Sequence, residues 1–209
     1  MKGLVWSTTA LLILVTPVMA GDDNAKSAAS TLDNLMAAYN GESNAHAKYL
    51  AYAKKADEEG YAPIGSLFRA AARAEEIHAA NHAKVIKALG GKPQAEINLP
   101  EICSTAENLR EAIKGESYER DEMYPSFLNT ARRERNRDAM RSFNFARTAE
   151  AEHAQLYQNA VDNLEAYKSN QKATFMVCTT CGYTVLKKDF TFSKCPSCFD
   201  PADKYEAVE

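Results

Sequence analysis

The chain lacks an excess of charge of either sign. Lys and Arg number 25 against 28 Asp and Glu, a net charge of −3 over 209 residues, which argues against nucleic acid or an anionic membrane surface as partner. No tandem repeat is evident by residue identity. Cysteine is scarce: there are five, and four of them fall after residue 177. The apolar run near the N-terminus is short for a full bilayer span. A chain of this length has room for one sizeable core and a small second module.

That apolar run reads as a secretory signal over residues 1–20. Lys2 precedes Leu4-Val5-Trp6 and Leu11-Leu12-Ile13-Leu14-Val15, Pro17 breaks the run, and Val18-Met19-Ala20 offers a cut after Ala20; an uncleaved anchor is the alternative. No Cys follows the run and no twin-Arg pair precedes it, so lipidation is not expected and export is expected to be unfolded, with metal acquired outside the cytoplasm. The expectation is an exported, periplasmic protein whose residues 21–29, small and polar, form a disordered lead.

Helical periodicity follows. Ser30 or Thr31, with Asp33 in the first turn, caps a helix carrying Leu35, Tyr39, Tyr49 and Tyr52 to about Glu59, where Gly60 stops it. A second helix starts near Pro63 and runs to Leu89, closed by Gly90-Gly91. Residues 91–104, with Pro93 and Pro100, read as extended; fourteen residues reach roughly 45 Å, enough to cross a bundle end to end. Ser104 or Thr105 caps a third helix to about Arg133, kinked at Pro125. The fourth spans about Asn136 to Tyr167. The Arg run 132, 133, 135, 137 and 141 at their junction reads as solvated charge, or as a docking patch for an acidic partner.

After Ser169-Asn170 the periodicity ends. Cys178-x-x-Cys181 and Cys195-x-x-Cys198, with thirteen residues between the pairs, have the spacing of a tetrahedral four-thiolate metal site. Two disulfides are the alternative in an oxidising compartment. Cys103, in the crossover, reads as an ordinary free thiol.

The four helices also carry chemistry. Glu75-x-x-His78 and Glu150-x-x-His153 each put two ligands on one helical face; solvated faces of an Ala- and Glu-rich bundle are the competing reading. Helix one adds Glu42, with Tyr49 two turns on and about 20° off the same face. Helix three adds Glu116 and Glu119. Five carboxylates and two imidazoles in one interior demand cations, and two divalent ions offset four of the five charges. Hard oxygen with imidazole suits iron or manganese. One Glu from each of two helices and Glu-x-x-His from each of the other two is the plan of carboxylate di-metal bundles, here with one extra carboxylate, Glu119. His46 and His82 each lie four residues past a ligand position. Each reads as a histidine bonded at a helix flank, or as an edge of the site.

Gly41-Glu42, Glu75-x-x-His78, Gly115-Glu116-x-x-Glu119, Tyr124-Pro125, Glu150-x-x-His153, Cys178-x-x-Cys181-Gly182-Tyr183 and Cys195-Pro196-x-Cys198 together resemble the rubrerythrins, over roughly residues 30–209. The resemblance implies a mainly α protein: a ferritin-like four-helix bundle with a long crossover over 30–168, then a small rubredoxin-like β/loop domain over 174–209. It implies that Glu42, Glu75, His78, Glu116, Glu119, Glu150 and His153 hold two non-haem iron ions and that Tyr49 and Tyr124 hydrogen-bond ligating glutamates. The cysteines then hold one iron, which gives a one-electron route to the centre, although zinc fits the spacing equally.

The implied activity is reduction of hydrogen peroxide to water, with electrons from a donor protein returning through the four-cysteine site of a homodimer or higher oligomer. A ferroxidase or iron-storage protein, or a non-catalytic protein with a zinc-filled tail, are the alternatives. Phe199 departs from the family, which has Gly there, and is expected to strain its loop; the export signal is the other departure.

Overall fold

The computed structural model describes Met1 and residues 29–209. The rest of the leader expected over 1–20, its cut after Ala20, and the lead as far as residue 28 lie outside the described residues.

Helix α1, Thr31–Glu58, starts at a reciprocal cap: Ser30 Oγ accepts the Asp33 N–H, and the Asp33 carboxylate accepts the Ser30 N–H at 2.9 Å. It stops at Gly60, whose φ of +81° suits glycine. Helix α2, Ala62–Ala88, carries Pro63 in its first turn, where no N–H is needed. Residues 91–104 have neither helix nor strand. They are laced along α1, because Glu96 and Asn98 donate their N–H groups to Asn40 and Asn44, and Thr105 donates to Glu59. The long crossover is therefore present as expected.

The third helix differs from the single kinked rod expected. Helix α3, Thr105–Tyr118, passes into a π-helical turn, Glu119–Met123, before α4, Tyr124–Arg133. Pro125 has no N–H for a ladder bond and its ring collides with the preceding turn. One widened turn ahead of it absorbs the conflict, so that Pro125 sits in the first turn of α4. Helix α5, Arg137–Asp162, is capped by Asn136 and ends five residues earlier than expected, leaving Leu164–Tyr167 as a 3-10 turn. There the Asn163 side chain bonds the Asn159 carbonyl, a local alternative to continuing the helix. None of the described helices is long and apolar enough to cross a membrane.

The bundle, with α3 and α4 counting as its third helix, has two apolar clusters. Tyr49, Tyr52, Phe68 and Tyr157 fill one, with the alanines of α2 letting neighbours approach. Leu35, Ile86, Tyr124, Leu128 and Phe143 fill the other. Full burial of one such ring contributes about 2–3 kcal/mol. A polar layer separates the clusters.

Strands β1, Phe175–Cys178, β2, Thr184–Leu186, and β3, Tyr205–Val208, form an antiparallel sheet in the order β2-β1-β3, with Phe175 opposite Leu186 and Val208. This module rests on α2 and α5. Asn81 donates to the Thr180 carbonyl at 2.9 Å, and Arg73 pairs with Glu206. Gly182 packs directly on His78, at φ +78°, and a Cβ there would run into the imidazole and into Ala74. Gly182→Ala is therefore expected to weaken the docking of the module by at least about 2 kcal/mol, measurable as a lower urea midpoint and faster proteolysis of the 169–174 connection.

Candidate metal centre

Glu42, Glu75, Glu116, Glu150, His78 and His153, drawn from α1, α2, α3 and α5, are all buried in one layer. Their donor atoms fall into two groups. Glu42, Glu75, His78 and Glu150 lie within 4.8 Å of one another, and so do Glu75, Glu116, Glu150 and His153. Glu75 and Glu150 belong to both, so each would be within reach of two metal positions. His78 Nδ1 is 2.8 Å from Glu75 and 3.1 Å from Glu150; His153 Nδ1 is 3.1 Å from Glu150 and 3.7 Å from Glu116. Glu119 is placed differently. It is half-buried at the start of the π-helical turn and belongs to neither group of four.

Glu42 Oε2, Glu75 Oε1, Glu116 Oε2 and Glu150 Oε1 are buried with no hydrogen-bond partner. Such atoms are costly unless something else satisfies them. Divalent cations do so, and the donor set fits iron.

Both imidazoles present Nδ1 to the centre, and the four-cysteine module explains why. His78 Nε2–H donates to the Cys181 carbonyl at 3.1 Å. The Thr184 hydroxyl donates to the Gly182 carbonyl, so its oxygen accepts from His153 Nε2–H at 3.1 Å. With Nε2 protonated and engaged, each Nδ1 holds a lone pair toward the metal position. On the other side, Tyr49 donates to Glu116 at 2.7 Å, and Tyr124 donates to Glu42. Burial, then nearby carboxylate charge, pushes both phenols well above their usual value, which keeps them donors.

His46 takes the flank, with Nδ1 against the Ala72 carbonyl. His82 takes the edge of the site: it is fully buried, 3.1 Å from the Tyr124 hydroxyl and 3.7 Å from Glu42, with Ser142 Oγ 2.7 Å from its other nitrogen. The signal was its spacing, one turn beyond His78. Sequence reasoning missed Tyr157, whose ring meets Tyr49 edge-on and lies tilted against Phe68. It missed Ser142 and Thr184 as well, since nothing in their spacing marks them.

The four cysteine sulfurs also lie within 4.8 Å of one another. The Cys178–Cys198 and Cys181–Cys195 separations, 3.7 and 3.5 Å, are far too long for disulfides and near the roughly 3.8 Å edge of a tetrahedral thiolate site. The disulfide alternative is set aside. Cys103 is a half-buried free thiol. Phe199 has φ +64° and is 73% exposed, so a non-glycine residue does occupy a left-handed position beside Cys198. The arginines at the α4–α5 junction are exposed, which suits solvated charge and a docking patch alike.

Burial, then neighbouring carboxylate charge, pushes Glu75, Glu119 and Glu150 well above the usual carboxylate range. Burial opposes the charged form of His78, but Glu150 outweighs it and raises that group too. Burial also pushes Glu42 up, yet His82, His78 and Tyr124 outweigh it and hold the carboxyl at about 2. Burial lowers His82. Between pH 5.5 and 8 Glu42 stays ionised and adds no slope, so the raised Glu75, Glu119, Glu150 and His78 stand against the lowered His82 alone within the bundle. A raised group stabilises the fold below its unfolded value and loses that contribution as pH climbs through the folded value. With the bundle stripped of metal and the four-cysteine site kept filled, the protein is expected to have a lower urea midpoint at about pH 8 than at about pH 5.5, and loading the bundle is expected to flatten the difference. Glu150→Ala removes a carboxylate common to both groups and is expected to abolish metal binding in the bundle while the four-cysteine site keeps its metal, as metal analysis of the purified variant would read; loss of both metals together contradicts independent sites.

The Rubrerythrin family model matches residues 33–161. Nigerythrin of Nitratidesulfovibrio vulgaris is 40% identical over 186 residues, 88% of this chain and 90% of that protein. Rubrerythrin-2 of Clostridium acetobutylicum is 38% identical over 86% of this chain and 97% of its own length. The fully reduced, all-ferrous structure of nigerythrin superposes with a TM-score of 0.79 at 39% identity, over 90% of this chain and 91% of that one. Desulfovibrio desulfuricans bacterioferritin, at 20% identity and a TM-score of 0.62, shares the fold. The Glu/His layer is thus a di-iron site beside a four-cysteine site in a ferritin-like bundle, and the chain belongs to the rubrerythrin family.

Proposed function

We propose that this protein reduces hydrogen peroxide to water at the Glu/His centre and is re-reduced through the four-cysteine site. One observation carries the reading: the segment Cys181–Thr184, which begins with a thiolate ligand, accepts hydrogen bonds from both histidines of the centre. A peroxidase must recover two electrons after every turnover, whereas a storage protein has no such need. The path is short. It runs from the Cys181 sulfur along its own backbone to the carbonyl, across one hydrogen bond to His78 Nε2, and through the ring to Nδ1.

In this reading Glu42, Glu75, His78, Glu116, Glu150 and His153 hold two iron ions, with Glu119 at the edge, and Cys178, Cys181, Cys195 and Cys198 hold one. Two ferrous ions, when bound, supply the two electrons that cleave the O–O bond, and two protons complete two waters. Glu75 and Glu150 tie the two metal positions together. Tyr49 and Tyr124 orient Glu116 and Glu42, and the apolar clusters on either side exclude bulk water. A donor protein delivers electrons to the exposed edge of the module near Cys198. In this reading the N-terminal apolar run is an export signal, the reaction takes place in the periplasm, and the protein works as a homo-oligomer.

Stopped-flow oxidation of the diferrous protein tests the assignment: peroxide is expected to react much faster than oxygen, and equal rates return it to the ferroxidases. The tail is expected to be red as the ferric tetrathiolate, whereas a zinc-filled, colourless tail removes the electron route.

A further inference from the structure

We propose that Ser142, His82 and Tyr124 form a proton relay from an open cleft beside the four-cysteine site to Glu42 at the metal centre. The inference rests on the peroxide reading, which needs two protons for every peroxide consumed.

The three side chains are joined without a gap. Ser142 Oγ lies 2.7 Å from His82 Nδ1, His82 Nε2 lies 3.1 Å from the Tyr124 hydroxyl, and that hydroxyl donates to Glu42. The direction of every bond follows from the last one. The Glu42 carboxylate only accepts, so Tyr124 spends its single proton on it and must accept from His82 Nε2–H. Nδ1 of the neutral ring is then bare and accepts the Ser142 hydroxyl proton. All three donors point inward.

The outer end is open. Ser142 lines a cleft of about 400 Å³ together with Lys84, Arg141, Phe145, Thr180 and Cys198, room enough for water. Inward of Ser142, the faces of the His82 imidazole meet aromatic rings while its two nitrogens meet the hydroxyls of Ser142 and Tyr124. Tyr124 and Phe143 both pack on His82, a setting in which a leucine would carry no desolvation cost and an imidazole does. None of the metal-holding roles uses His82 or Ser142. The same cleft exposes Cys198, so proton entry and electron entry share one side of the molecule.

A proton arriving from cleft water bonds to Ser142 Oγ as the serine proton moves to Nδ1. The Nε2 proton moves to the Tyr124 oxygen, the phenol proton moves to Glu42 Oε1, and Glu42 hands a proton on to a peroxide oxygen. Each member gives one proton and receives one, so none changes its charge. Rotation of the two hydroxyls and exchange of the imidazole tautomer reset the chain. Two passages, with two electrons from the centre, break the O–O bond and leave two waters.

The test uses the full-length iron-loaded protein and two substitutions at Ser142, which hydrogen-bonds His82 and holds no metal itself. Infrared difference spectra follow deuterium uptake at the Tyr124–Glu42 pair after a jump into D2O, in resting protein without peroxide; stopped flow then gives the solvent isotope effect on oxidation by peroxide. Ser142→Ala is expected to keep its iron, to slow both deuterium uptake and peroxide oxidation by at least about tenfold, and to enlarge the isotope effect. Ser142→Thr, which keeps the hydroxyl, is expected to restore both rates. Unchanged deuterium uptake in Ser142→Ala overturns the relay, as does loss of iron from that variant or failure of Ser142→Thr to rescue. Because the deuterium measurement involves no peroxide, failure of the relay is distinguishable from failure of the peroxidase reading.

Discussion

Four carboxylates with no exposure to solvent, facing one another across a helical bundle, are the constraint from which the rest of this structure follows. Left without cations, such a layer survives only by holding protons, which is the direction in which Glu75 and Glu150 are pushed. Two divalent ions remove that requirement. The apolar clusters on either side exist to make the layer possible as well as to stabilise the fold. Each contributes a tyrosine, Tyr49 or Tyr124, whose ring belongs to the cluster and whose hydroxyl belongs to the carboxylates.

The four-cysteine module is part of the same centre. By accepting the Nε2 protons of His78 and His153 through the Cys181 carbonyl and the Thr184 hydroxyl, it sets which nitrogen of each ring faces the metal position. Gly182 is what allows this approach, since any side chain there meets the imidazole. A small domain that looks appended in the sequence thus holds two of the bundle's ligands in place. The electronic connection and the mechanical one are the same few atoms.

The helix-three irregularity belongs to this logic too. Proline at position 125 forces a widened turn, and that turn begins with Glu119, the carboxylate that stands apart from the two groups. A carboxylate on a π-helical turn sits on a backbone segment less regular than the α-helices that carry its neighbours. The strain at Phe199 is of another kind: a left-handed residue next to Cys198, bonded back to the Cys195 carbonyl and largely exposed.

Much of this was legible in the sequence because it depends on spacing within single elements. Glu-x-x-His on one helical face, Cys-x-x-Cys in a knuckle, serine caps with an acid three residues on, and prolines and glycines at helix ends are local rules that the chain cannot avoid obeying. What could not be read was which local alternative the packing selects. His46 and His82 had the same spacing from a ligand position, yet one bonds a backbone carbonyl at the flank and the other is enclosed between Ser142 and Tyr124. The exclusion of Glu119 from both donor groups and the anchoring of both histidines by the four-cysteine module were equally invisible. The sequence by itself determined the ligand types, the helices that bear them and the thiolate knuckles. Only the tertiary structure decided distances between elements far apart in the chain, because those depend on how whole surfaces pack and not on any repeat along the backbone.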